Sequence, residues 1–143
     1  MQALPRFYRR SADERWLLLR SAVLLTCARL GLRLFPYRSM EKCLGYLKRA
    51  GGPPPAESPF TPDRIAWAVQ AAGRHLPGKV TCLPIALVTH TLLGREGYAS
   101  RVEIGVAKDG AANLHAHAWV ECEGKVFLAE EEEQSHFVRL RAQ

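Results

Sequence analysis

The sequence predicts an α+β fold, in which helices pack on a small antiparallel sheet and a helical region precedes them. Apolar residues recur at helical spacing as far as Leu93, and apolar and polar residues alternate from Ser100 onward. A two-residue turn signal, Glu123-Gly124, separates two of the alternating segments, as in a hairpin. Helices followed by consecutive antiparallel strands are typical of α+β proteins. The chain has 143 residues, 48% of them hydrophobic, which suits one domain with at most a small helical appendage.

The first predicted element is a long helix over residues 13–35. It is apolar enough to raise the question of a membrane span. Arg20, Arg29 and Arg33 recur within it, however, and an arginine inside a bilayer is costly. We therefore expect this helix to be buried or covered by a partner.

A second helix is predicted over residues 39–50, and the glycine- and proline-rich residues 51–59 are predicted to be a linker. We therefore expect a division into an N-terminal helical region, residues 1–52, and a C-terminal domain, residues 60–143. The N-terminal region holds eleven Lys/Arg against three Asp/Glu, whereas the rest of the chain is slightly acidic. Such a basic surface suits an acidic protein partner or an anionic membrane. We expect no nucleic acid, because aromatic residues do not interleave with the basic ones there and phosphate-binding glycine loops are missing.

The four cysteines show no paired spacing that would indicate a disulfide framework. Cys27 and Cys43 stand in apolar helical segments, where a free thiol usually acts as a small packing residue. No cleavable signal segment is evident at the N-terminus. A reducing, cytoplasmic setting is therefore expected.

The remaining elements follow from capping residues and alternation. Thr61 is expected to cap a helix that begins at Pro62 and ends near Leu76. A further helix is expected to begin at Thr81 or Cys82. It runs to Leu93, and strands follow over residues 100–106, 115–122 and 125–128.

Cys82 and a histidine thirty-five residues later form the most informative pair in the chain. A helix start carries partial positive charge, so a cysteine there forms a thiolate readily. A histidine on a later strand can take the thiol proton and return it to a leaving group. His115 and His117 lie on one face of the same predicted strand, and spacing alone does not choose between them.

Two other interpretations of these residues compete with catalysis. A lone cysteine is often inert packing, in which case the protein would be a partner-binding scaffold. A zinc site is the other, but structural zinc sites usually have two short ligand pairs, and only one short pair is present. We therefore expect no metal and no cofactor. The candidate ligands for that rejected site are Cys82, His90, His115, His117 and Cys122.

A third catalytic residue would accept a hydrogen bond from the imidazole. Glu121 shares the strand face of His117, and the acidic run of residues 130–133 offers Glu130, which a neighbouring strand could bring beside the histidine. Asp109 is better explained as a turn residue. Trp119, Glu121 and His115 share the face of the candidate base, so we expect them to contact substrate.

Several segments, in order and spacing, resemble a known family. They are Thr81-Cys82-Leu83-Pro84-Ile85-Ala86-Leu87, Leu92 to Val102, Gly105-Val106, and His117-Ala118-Trp119-Val120-Glu121 with Gly124. The chain resembles the transglutaminase-like leader peptidase of lasso-peptide biosynthesis, in the form of the stand-alone peptidase half of a split B protein. The resemblance covers about residues 60–130.

The resemblance implies a papain-like cysteine peptidase that removes the leader from a ribosomally made precursor peptide. It assigns the nucleophile to Cys82 and the base to His117. The family usually has an aspartate about a dozen residues after the histidine, whereas this chain has Ala129 and then Glu130, so Glu130 is expected to substitute. The implied partners are the precursor peptide, a leader-binding recognition protein and the lasso cyclase. A transamidase with the same nucleophile is the alternative reaction.

Overall fold

The computed structural model describes residues 10–50, 56–108, 113–128 and 138–140. Within these ranges it contains four helices and four strands, which confirms the predicted α+β fold. The helices are α1 (Ala12–Leu34), α2 (Tyr37–Ala50), α3 (Pro62–His75) and α4 (Cys82–Arg95). The strands are β1 (Ser100–Lys108), β2 (Leu114–Cys122), β3 (Lys125–Phe127) and β4 (Val138–Leu140).

The described strands form one antiparallel sheet in the order β3-β2-β1-β4. The predicted hairpin turn between β2 and β3 is confirmed, since Glu123 and Gly124 both have positive φ, 52° and 79°. Positive φ at both positions matches the twist of a two-residue hairpin. Strand β4 was not predicted, because three residues after an acidic run are too short to show alternation.

The hydrophobic core lies between the sheet and α1, α3 and α4. These helices pack on one another, and α4 also packs on β1 and β2. From α1, Leu17, Leu25 and Ala28 are buried in the same core as residues of the later helices. The N-terminal helix therefore shares a core with the elements after the linker, and the division at residues 52 and 60 stays a prediction.

Helix α1 has two different apolar faces. One face packs in the core, whereas a second stripe faces solvent. None of the described helices is long and apolar enough to cross a membrane. Each residue of the outer stripe is more than half exposed: Trp16, Leu19, Val23, Leu30 and Leu34.

The interpretation of Cys27 and Cys43 as packing residues is wrong, because both are exposed. Cys27 lies on α1 and Cys43 on α2, and both side chains point away from the core. Helical spacing in the sequence shows that a residue belongs to a helix but does not by itself tell which face is covered. Both thiols are therefore open to alkylating reagents, which matters for any test of the third, half-buried cysteine.

The segment before α3 is tied to the turn between α4 and β1. Ser58 Oγ donates to Glu96 Oε2 at 2.6 Å, and Tyr98 Oη donates to the Phe60 carbonyl at 2.8 Å. The turn itself contains Gly97 with φ of 90°, a conformation that glycine adopts without strain. These bonds join the segment before α3 to the end of α4, the helix that begins at Cys82.

Candidate active site

The start of α4 carries the candidate nucleophile, Cys82, as its first residue. Thr81 occupies the N-cap position, but among the described residues its side chain makes no capping hydrogen bond to the helix. Pro84 supplies the reason, because it stands at the third helical position, where a capping side chain ordinarily finds an N–H donor, and proline has none. The first N–H groups of α4 are therefore not used by a side-chain cap and can stabilise a thiolate or an oxyanion.

Cys82 begins the helix that packs on the strand carrying His117. Its thiol is half-buried against the core that α4 shares with β2. Farther along the helix, His90 Nδ1 lies 2.7 Å from Ser100 Oγ, and Ser100 pairs with Cys122 across the sheet. Cys82 precedes His90 by about 12 Å of helix, which corresponds to roughly 3.5 residues of strand. Counted back along β2 from Cys122, that length reaches Ala118 and Trp119, one to two residues from His117.

His117 is half-buried in the middle of β2, opposite Gly105 of β1. Its Nε2 atom lies 2.9 Å from the carbonyl oxygen of Leu128, just after strand β3. A carbonyl oxygen only accepts, so Nε2 carries the hydrogen and donates it. The ring also stacks with that of Trp119, with centroids 6.3 Å apart and an interplanar angle of 25°. In the neutral ring, Nδ1 is therefore the nitrogen able to act as a base.

The two candidate catalytic residues are not bonded to each other in this structure. Among the described residues, no hydrogen bond joins the Cys82 thiol to His117. Such bonds are often long before substrate binds and tighten only in the complex. The cysteine–histidine pair therefore stays a prediction, supported by the packing of α4 on β2. Glu130, the expected third member, lies outside the described residues.

The residues expected to contact substrate differ in their exposure. Trp119 is completely buried, whereas His115, two strand positions before His117, is exposed. A substrate contact with Trp119 would require the chain that covers it to move. Ala118 and Val120, which alternate with these residues, belong to the core, as the predicted strand pattern requires. Substrate binding by Trp119 and His115 stays a prediction.

Glu121 is held in a network of arginines. Arg101 Nη2 lies 2.7 Å from one carboxylate oxygen, and Arg139 Nη2 lies 2.8 Å from the other. The hydrogen bond from Arg101 lowers the pKa of Glu121. The network joins β2 to β1 and to β4, the strand that the sequence pattern did not predict. Both oxygens of Glu121 are thus occupied by arginines, which argues for a role in holding the strands together, while its expected contact with substrate stays a prediction.

A second polar cluster lies at the other end of α4, around His90 and Ser100. These two residues line a cleft of about 200 Å³ between α2, α4 and β1, together with Tyr37, Glu41 and Lys48. Burial and the nearby Lys48 lower the pKa of His90 from its ordinary value of 6.5 to about 4. His90 is therefore neutral at pH 7, and it is committed to Ser100 rather than to the Cys82 end of the helix.

The described side chains do not assemble a metal site. No group of three His, Cys, Asp or Glu residues within the described ranges is arranged to hold an ion. The five ligand candidates are instead distributed over both ends of α4 and along β2. The sequence did not predict the contact between His117 and the Leu128 carbonyl. No residue type indicates such a contact, because every residue has a main-chain carbonyl.

A comparison with known protein families shows what the chain is similar to. The model of a family described as the transglutaminase-like superfamily matches residues 19–142, which include α4, the sheet and most of α1. Neither the curated proteins nor the solved structures that were compared contain a match to the chain.

Proposed function

Because the chain belongs to the transglutaminase-like superfamily, which includes cysteine proteases and transamidases, we propose that it is a cysteine peptidase that cleaves the leader from a lasso-peptide precursor. The observation that carries the proposal is the packing of α4, with Cys82 at its uncapped start, on β2, the strand that contains His117. The choice of a leader peptide as substrate is supported by the sequence resemblance of the Cys82 and His117 segments.

The proposed reaction begins when the Cys82 thiol transfers its proton to His117 Nδ1. The thiolate sulfur then bonds to the carbonyl carbon at the leader–core junction. As the C–N bond breaks, the Nδ1 proton passes to the departing core amine, and the leader remains on sulfur as a thioester. Water, deprotonated by Nδ1, attacks this thioester, releases the leader carboxylate and restores the thiol. The main-chain N–H groups at the start of α4 would stabilise the oxyanion.

We further propose that a leader-binding recognition protein docks on the outer stripe of α1. Five large apolar side chains form this stripe, and the surrounding N-terminal region is basic. A contiguous exposed apolar stripe with a charged surround is typical of a protein interaction surface. The recognition protein would hold the precursor while the peptidase cuts it in the cytoplasm, and the cyclase would take the freed core.

The proposal is tested by incubating the protein with precursor peptide, with and without the recognition protein, and identifying the products by mass spectrometry. Cys82→Ala is expected to lower cleavage by roughly three orders of magnitude or more, since it removes the nucleophile. Cys43→Ala, an exposed cysteine on α2, is the matched control and is expected to cleave normally. Cleavage retained by Cys82→Ala would exclude the mechanism.

The same products distinguish the two alternatives. A free leader carboxylate indicates hydrolysis, whereas a new amide on the leader indicates a transamidase. A scaffold without chemistry would give neither. In a scaffold, Cys82 would also react slowly with an alkylating reagent at a pH below ~8.5, the ordinary pKa of a cysteine thiol. The experiment uses a Cys27→Ser, Cys43→Ser background, so that the exposed thiols do not react.

A further inference from the structure

The hydrogen bond between His117 and the main chain fixes which ring nitrogen is basic. Nε2 lies 2.9 Å from the Leu128 carbonyl oxygen, and a carbonyl has no hydrogen to give. Nε2 must therefore be the protonated nitrogen whenever this bond is formed, in the neutral ring as well as in the imidazolium. The bond thus does what the third member of a catalytic triad does, which is to hold the ring in one tautomer and one orientation.

The conformation of Leu128 directs this carbonyl. Its φ is 74°, in the left-handed region that side chains other than glycine rarely adopt. The preceding residue, Phe127, is buried and pairs with Val120 of β2. The Leu128 side chain is itself half-buried against the same core. The pairing of Phe127 and the packing of the Leu128 side chain hold Leu128 in a backbone conformation that it would not otherwise favour. Strained backbone of this kind is concentrated at functional sites.

We infer that the main-chain carbonyl of Leu128 is the group that orients the His117 imidazole, in the role for which the resemblance predicts the Glu130 carboxylate. The inference rests on the proposed cysteine–histidine chemistry and adds to it a positioning residue. While the thiol proton moves to Nδ1 and on to the leaving amine, the Nε2 hydrogen stays bonded to Leu128. A neutral carbonyl fixes the tautomer but stabilises the imidazolium less than a full negative charge does.

The test separates the carbonyl from the carboxylate by NMR of histidine ¹⁵N in the full chain, which reports the tautomer of His117 without any substrate. The wild type and Leu128→Gly are expected to hold hydrogen on Nε2, because glycine adopts positive φ freely. Leu128→Pro, whose φ is fixed near −65°, should turn the carbonyl away, mix the two tautomers and lower cleavage by about 10²-fold. Glu130→Ala should keep the Nε2–H tautomer, and its cleavage rate should stay at least tenfold above that of Leu128→Pro.

Two results would overturn the inference. One is a wild-type His117 with its hydrogen on Nδ1. The other is a Glu130→Ala variant that loses the Nε2–H tautomer, which would return the role to the carboxylate. If Leu128→Pro does not fold, the comparison of wild type, Leu128→Gly and Glu130→Ala still decides. Failure of the peptidase proposal is a separate outcome, since it would appear as absent cleavage with the tautomer unchanged.

Discussion

Helices α3 and α4 both follow a threonine at the N-cap, but they complete their first turns differently. At α3, Thr61 Oγ1 accepts a hydrogen bond from the Arg64 N–H at 3.2 Å. Asp63, in the same turn, is bonded to Lys125 Nζ at 2.5 Å and adds negative charge at the helix start. At α4, Thr81 caps no N–H group among the described residues, and the first turn contains no acidic residue.

The difference shows what a helix start can be used for. At the start of α3, the Thr61 side chain accepts from a free N–H group and Asp63 offsets the partial positive charge, and both stabilise the helix. The start of α4 is left with its partial positive charge uncompensated, and the residue placed there is a cysteine. An acidic residue or a cap at that point would stabilise the helix but would oppose a thiolate. The anchoring of α4 comes instead from its buried apolar side chains and from the bond between His90 and Ser100.

The strongest test of this contrast places the same charge at both helix starts. Thr81→Asp places a carboxylate beside the Cys82 thiol, which opposes the thiolate. The alkylation rate of Cys82 at pH 7 and the cleavage rate should each fall by roughly tenfold. Thr61→Asp, at an N-cap that is also exposed, should leave both rates within about twofold, because aspartate caps a helix as well as threonine does. Equal losses in the two variants would contradict the contrast, since the effect would then come from general destabilisation.

His90, farther along α4, should make the free energy of unfolding depend on pH. His90 has a pKa of about 4 in the folded chain and 6.5 ordinarily, so the unfolded chain takes up the proton first as the pH falls. The contribution of His90 to the free energy of unfolding is therefore complete above pH 6.5 and is lost as the pH falls from 6.5 to 4. It amounts to about 1 kcal/mol after allowance for partial exposure of the ring.

Urea denaturation at pH 7 and at pH 5 measures that loss. The variant His90→Gln removes the titrating group and should show a smaller decrease in the free energy of unfolding over the same interval. An equal decrease in both proteins would show that other groups cause it.

The smallest expected effect concerns the two threonine hydroxyls themselves. Thr61→Ala removes a capping bond and should lower the free energy of unfolding by about 1 kcal/mol. Thr81→Ala removes a hydroxyl that caps nothing in the helix, so a change below about 0.5 kcal/mol is expected. Thermal and denaturant unfolding of the two variants measures both changes. Equal losses in the free energy of unfolding would contradict the difference in capping between the two helices.

Much of the fold could be predicted from the sequence because its local signals agree with one another. The helix starts at Thr61-Pro62 and Thr81-Cys82, and the turn at Glu123-Gly124, are marked by residues with a defined backbone preference. The start of α2 at Tyr37 was placed two residues late, since no capping residue marks it. Strand β4 and its Arg139 were missed for want of a pattern long enough to recognise.

The candidate site could be predicted only in part. Cys82 and His117 carry side chains whose chemistry is visible in a sequence. The bond from His117 to Leu128 depends on a main-chain atom and on a positive φ at a leucine, and neither has a sequence signal. The burial of Trp119 was also not visible in the alternating pattern, because alternation separates two faces of a strand without telling which of them are covered.

The two faces of α1 link partner binding to the folding of the whole chain. Leu17 and Leu25 lie in the common core, while Val23 and Leu30 lie on the outer stripe of the same helix. A protein that binds this stripe binds the folded chain and not the unfolded one, so it shifts the folding equilibrium of the entire molecule in proportion to the logarithm of its concentration. The melting temperature of the protein would thus rise with the concentration of a partner bound to this stripe, although the stripe lies on α1 alone.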